Sequence, residues 1–414
     1  MSERKSDISG WLVRPATWHM WAVLGTVLAV LVTRTARVTS DGGMDNAIVV
    51  RAARVWLVGG SPYDDSHFLY LPSAVLAAVP QALVPWSVLR VLVPLAVTGA
   101  LAGGWACALR LHGVPPRSRF AVLGLTGLAA SFAPFAHLVL LGNWTATAVL
   151  ALPLGLLLAG RGRWVAAGAV LGAAIALKPL LAPAGLLFVF ARRWRALAAL
   201  AGVPAAASAA AALVLPDPAG FLTRTLPFLL RGDDGFVRLY EASPAAVLPR
   251  LGVPAPAAGG IALLAAAAGV VCAHRRWCRG DAGPLRLVET AVTLMLSAFL
   301  VSRPSYDHYL LVVVPLLLAG ALREGAAVRG PWFWLSLLPQ LPGVPWPYVE
   351  AGQRRAFKDA VTLCGLAVTL ALHCRRPDGR PRGGARPLAV PSSRAGARGR
   401  AGVGADSGAA GPAE

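Results

Sequence analysis

Apolar runs closed by arginine, proline or glycine recur along this chain from Trp18 to His373. They are continuous rather than alternating, so they read as helices and not as barrel strands. At about 20 residues, a helix of this kind matches a hydrocarbon layer of about 30 Å. The pattern predicts helices over 18–33, 86–109, 120–138, 144–160, 164–177, 180–191, 196–215, 256–273, 286–302, 309–322, 331–345 and 357–373. A further apolar stretch, 73–85, is interrupted by Pro80 and Pro85 and is expected along the interface. Two longer polar segments, 34–72 and 216–255, separate these groups. The expected fold class is all-α, a polytopic transmembrane helical bundle of roughly ten to twelve spans.

Arginine placement orients the bundle. Arg110, Arg117 and Arg119, then Arg161 and Arg163, Arg192, Arg193 and Arg195, and Arg275, Arg276 and Arg279 fall in turns on one side of the alternation. The positive-inside rule puts those turns in the cytoplasm and both long loops outside. Three regions follow: a cytoplasmic N-terminal segment, 1–17; a membrane domain, 18–373; and a basic tail, 374–414. The tail is Gly-, Ala-, Pro- and Arg-rich, lacks apolar periodicity, and is expected to be disordered and cytoplasmic. The first apolar run lacks a small-residue cleavage site and reads as an anchor.

Composition agrees. The chain is 56% hydrophobic and 14% charged with a mean hydropathy of +0.61, more apolar surface than a soluble core can hide. A net charge of +20 would suggest nucleic acid in a soluble protein, but here the arginines punctuate apolar runs, so no nucleic-acid partner is expected. The five cysteines show no C-x-x-C spacing, so neither a disulfide nor a zinc site is expected.

Polar residues that are not topogenic gather at the loop side. The first loop holds Asp41, Asp45, Asp64 and Asp65, four of only 19 acidic residues in the chain. Asp41 and Asp45 can cap the helix that follows, or Asp45 can act as a general base on a hydroxyl. Asp64 and Asp65 read as turn residues and a weak metal pair. Asn143 can cap the next helix or line a cavity, and His137 reads as a packing residue. Lys178 stands between apolar runs in a chain whose only other lysines are Lys5 and Lys358. Pro179 disfavours helical geometry there, so a broken helix is expected. The ammonium can snorkel outward, or supply a fixed counter-charge for an anion such as phosphate. Finally, Ser302-Arg303-Pro304-Ser305-Tyr306-Asp307-His308-Tyr309 is either an interfacial collar or an anion site. In the second case Arg303 and His308 bind, and Asp307 orients the histidine or pairs with Arg303.

Three segments together resemble a known family. They are Asp45 through Pro72, with its Gly-Gly-Ser-Pro-Tyr-Asp core; Gly142-Asn143 through Lys178-Pro179 to Arg192-Arg193-Trp194-Arg195; and Ser305 through Pro315 around His308. In order and spacing they are similar to glycosyltransferase family 87, whose members have the GT-C fold and use polyprenyl-phosphate-mannose. The resemblance implies inverting, metal-independent transfer of mannose, typically α-1,2, to a lipid-linked or envelope glycan at the extracytoplasmic face of the plasma membrane. No cofactor is implied beyond the polyprenyl-phosphate sugar donor; the partners are that donor, a glycolipid or glycan acceptor, and membrane lipid. It implies Asp45 as general base, Lys178 and His308 at the carrier phosphate, and Asn143 in the same cavity. Arg303, Asp307 and Tyr63 complete the substrate-binding candidates. The chain departs from the family pattern at Val49, where a tyrosine is usual, and at Tyr240-Glu241-Ala242-Ser243, where Asn-Gln-Ser is common. The competing reading is a transporter or flippase of lipid-linked sugars, but no internal repeat supports it.

Overall fold

The computed structural model describes residues 2–231, 239–279, 283–341, 343 and 351–375. Helices dominate, and the one β-bridge among these residues is the isolated pair Pro15–Ser118. In chain order the helices are α1 (Ser2–Val13), α2 (Trp18–Val38), α3 (Met44–Leu57), α4 (Pro72–Ala82), α5 (Trp86–Leu111), α6 (Arg119–Ser131), α7 (Ala133–Leu141), α8 (Thr145–Gly160) and α9 (Trp164–Leu177). There follow α10 (Gly185–Phe190), α11 (Trp194–Ala212), α12 (Leu226–Arg231), α13 (Pro244–Val247), α14 (Ala255–Cys278), α15 (Pro284–Val301), α16 (Leu310–Ala319), α17 (Pro331–Leu337) and α18 (Ala351–Arg375). This is the all-α bundle that the apolar runs predict.

Among the described residues six helices are long and apolar enough to cross a membrane: α2, α5, α11, α14, α15 and α18, the last from Gln353 to Cys374. The bent pair α6–α7 makes a seventh if counted as one span. The other expected spans form shorter apolar helices, α8, α9, the Pro179–Phe190 segment and the Asp307–Ala319 segment. Two expectations need correction. The run 120–138 is not one helix, because Phe132 is extended and Pro134 lacks the N–H to continue the ladder; the two halves bend by 73°. The run 331–345 yields only α17 and one 3-10 turn, Leu338–Gln340, with part of it outside the described residues. Of the expected tail, 374–414, Cys374 and Arg375 close α18, and 376–414 lies outside the described residues.

The first long loop is itself structured. Helix α3 packs on α4, and Arg54 of α3 reaches the open carbonyls where α4 ends, donating from Nε to Ala82 O at 3.1 Å and from Nη2 to Val84 O at 2.8 Å. Its guanidinium also stacks over the Trp86 ring at 4.0 Å, which ties the loop to the start of α5. Among the six candidate spans α15 is the most enclosed, and α16 beside it is almost wholly buried. At the end carrying the basic turns, buried Glu289 of α15 pairs with Arg276 Nε at 2.7 Å and with His373 Nε2 at 3.4 Å, joining α14, α15 and α18.

Candidate active site

Two glycine-bearing turns bring the first loop onto the end of α7. Gly43 (φ +107°) and Gly142 (φ +61°) both adopt backbone that side chains disfavour. A Cβ on Gly43 would strike the Leu141 carbonyl, and one on Gly142 would strike the Gly42 carbonyl oxygen. The close approach sets Asp45, in the first turn of α3, beside Asn143, just past α7.

Asn143 then links two charged groups. Its Nδ2 donates to Asp45 Oδ2 at 2.5 Å, and its Oδ1 accepts from Lys178 Nζ at 2.9 Å. Lys178 also donates to Thr145 Oγ1 at 3.0 Å. Asn143 Oδ1 accepts from Thr145 N at 2.7 Å too, so the residue both caps α8 and bridges the pair. Lys178 is extended (φ −151°, ψ 120°) between α9 and the 3-10 turn Pro179–Ala184, which is the break that Pro179 predicts. The ring faces of Tyr309 and Tyr70 flank its ammonium at 5.3 and 5.9 Å.

The third segment supplies the facing wall. Asp307 and His308 are each 2% exposed. Asp307 Oδ1 accepts from His308 N at 2.7 Å and from Arg355 Nη2 at 2.8 Å, while its Oδ2 takes a short hydrogen bond with His137 Nδ1. His308 Nδ1 lies 3.4 Å from Asp307 Oδ1 without hydrogen-bond geometry, and neither ring nitrogen has a partner among the described residues. Tyr306 stacks on the imidazole at 5.4 Å.

The second long loop docks here through the segment that departs from the family pattern. Glu241 is fully buried and accepts from Arg303 Nε at 3.2 Å and from Ser243 Oγ at 2.9 Å, and Ala242 N donates to Ser305 O at 2.8 Å. Burial pushes the Glu241 carboxyl up, and Arg303 and Ser243 pull it partly back.

These groups enclose a cavity of about 450 Å³. Asp45, Asn143, Lys178, Arg303 and His308 line it, together with Arg355, Tyr240 and Tyr306, which sequence reasoning missed. Arg355 stands at the start of an apolar run, where an arginine looks topogenic. Two candidates belong elsewhere. Tyr63 is not on the cavity wall: its ring is 3% exposed, packs against Phe68 and Phe221, and turns its hydroxyl to Tyr70 O at 3.5 Å. Asp307 lies behind the wall, where it holds His308 and Arg355 rather than facing the space. His137, read as a packing residue, is its partner. Asp64 and Asp65 diverge: Asp64 pairs with Arg224 at 3.0 Å, and Asp65 with His67 at 3.0 Å. Arg224 also pairs with Asp217, so the two loops are clasped at this point.

The family model of glycosyltransferase family 87 matches residues 68–302, more than half of the chain. The chain belongs to that family. No curated protein and no solved structure matches it. Family 87 membership makes the protein a membrane glycosyltransferase, and the matched region contains Asn143 and Lys178. Asp45, Arg303, His308 and Arg355 lie outside the match, yet the fold gathers all of them around the same space.

Proposed function

We propose that the protein transfers a sugar, mannose in this reading, from a polyprenyl-phosphate carrier to a lipid-linked or envelope glycan, with inversion. The observation that carries this is the Asp45–Asn143–Lys178 bridge on the wall of one cavity: a carboxylate and an ammonium separated by a single amide. The acceptor hydroxyl oxygen forms a bond to the anomeric carbon as that carbon's bond to the carrier phosphate breaks. Asp45 takes the hydroxyl proton, and the carrier leaves as polyprenyl phosphate. Asn143 occupies Asp45 Oδ2, and Oδ1 has no hydrogen-bond partner among the described residues, so it is open to the acceptor. Lys178 and the unpartnered His308 meet the charge that grows on the phosphate.

A single displacement needs one carboxylate, whereas a retaining double displacement uses a second, about 5 Å away, as nucleophile. Among the described residues lining the cavity, Asp45 is the one acid, and that supports inversion. The basic turns at the opposite end favour a multi-pass protein of the plasma membrane whose cavity opens outside. The protein's own cations suffice for the phosphate, so the proposed reaction uses no cofactor.

The test is transfer of radiolabelled mannose from polyprenyl-phosphate-mannose in membranes, with polyprenyl-phosphate-glucose and polyprenyl-phosphate-arabinose run beside it. Asp45→Asn is expected to lower transfer by about 10²- to 10⁴-fold at unchanged protein level. Unchanged turnover would remove Asp45 from the base role, and preference for another donor would replace mannose.

A further inference from the structure

His308 and Arg355 reach the same atom. Asp307 Oδ1 has the imidazole Nδ1 at 3.4 Å and Arg355 Nη2 at 2.8 Å, so one buried carboxylate oxygen holds a ring and a guanidinium as neighbours. Asp307 is 1% exposed at its side chain, whereas Arg355 is 34% exposed and lies on the cavity wall. The face of Tyr240 lies 5.4 Å from the guanidinium carbon, and Asp359, one turn further along α18, stands 4.0 Å from Nε. Arg355 is thus held from behind by Asp307 and steadied by Tyr240. Its Nη1 has no hydrogen-bond partner among the described residues. His308 beside it is 2% exposed, with Nδ1 turned to Asp307 Oδ1 and Nε2 without a hydrogen-bond partner among the described residues. The Nε2 of a buried imidazole next to the free Nη1 of a guanidinium leaves two nitrogen sites side by side, and a phosphate oxygen suits that pair.

We propose that Arg355 is a phosphate-binding residue of the donor site, acting with Lys178 and His308, and that Asp307 is the positioning residue that aims it. This rests on the reading that the donor is phosphate-linked. It extends that reading by adding a residue from α18, outside the region matched to the family. Arginine suits the position because its planar fork offers two parallel donors to a phosphate, while lysine offers a point charge.

The experiment measures binding of short-chain polyprenyl phosphate to the purified full-length protein, with the uncharged polyprenol as control. Arg355→Gln is expected to weaken polyprenyl phosphate binding by about 10- to 100-fold, the loss of one charge-assisted contact, and to leave polyprenol binding unchanged. Arg355→Lys is expected to recover part of the loss. The double variant Asp307→Asn with Arg355→Gln removes both charges of the pair, so it carries the test even if Arg355→Gln alone fails to fold. If Arg355 holds phosphate, the double variant stays weak. If Arg355 only neutralises Asp307, the double variant returns to wild-type affinity and the proposal is overturned. Wild-type affinity in Arg355→Gln overturns it as well. Lys178→Ala separates the two levels. Weakening by Lys178→Ala alone keeps the phosphate-linked donor and removes Arg355, whereas no effect from either variant removes both.

Discussion

Lys178 illustrates how much one side chain can depend on its neighbours. Its ammonium has two oxygen acceptors, Asn143 Oδ1 and Thr145 Oγ1, and two tyrosine faces, so it is held in place before any substrate arrives. A preorganised cation of this kind stabilises developing negative charge without reorganising at the moment of reaction. Lys178→Ala is therefore expected to slow sugar transfer by about 10²- to 10³-fold, measured with saturating acceptor in the membrane assay. Glu241 makes a different point. Burial is the larger influence on its carboxyl and raises it above the ordinary value of 4.5. The folded state therefore holds the proton more tightly than the unfolded chain does. The stability this group contributes is complete below the unfolded value and is lost as pH rises through the folded one. Glu241→Gln stays neutral throughout. Its melting temperature relative to wild type is expected to rise as the pH is taken from 4.5 to 7.5, and a gap independent of pH would contradict this.

Among the elements, the turn at Gly142 decides whether the site exists. The chain leaves α7 through left-handed backbone, and the space a side chain would need holds the Gly42 carbonyl. Gly142→Ala is expected to cost about 1–2 kcal/mol from the left-handed conformation alone, with more from the displaced first loop. Because that displacement separates Asp45 from Asn143, transfer activity should fall further than the loss in thermal stability suggests. Activity and melting measured on the same preparation check this. Some of this level was readable from the chain itself. Pro179 announced the break after α9, and the polar composition of 34–72 announced a loop. Pro134, inside the expected run 120–138, also marked a break, but not its angle of 73°, which depends on how α6 and α7 pack. The Gly-Gly-Ser-Pro-Tyr-Asp core was legible as a motif, but its tyrosine does not line the cavity. Tyr63 spends its ring on Phe68 and Phe221, and residue type alone does not say which way a ring turns.

At the level of the whole molecule the cavity and the basic turns occupy opposite ends of the bundle. Ser66 is an exposed residue in the first loop, and Cys278 is an exposed cysteine at the end of α14 near Arg275 and Arg276. In intact cells, a membrane-impermeant maleimide is expected to label a Ser66→Cys variant and to leave Cys278 unlabelled until the membrane is opened. The reverse pattern would turn the proposed orientation over. The sequence by itself determined the bundle, because the length and apolarity of each run are local properties that a bilayer reads directly. It also marked Asp45, Asn143, Lys178 and His308, since polar groups stand out in a chain this apolar. Only the tertiary structure decided what they touch. Asp307 meets Arg355 across 48 residues and His137 across 170, and Glu241 meets Arg303 across 62. Such pairings depend on how whole helices and loops pack, and no local pattern of residues encodes that packing.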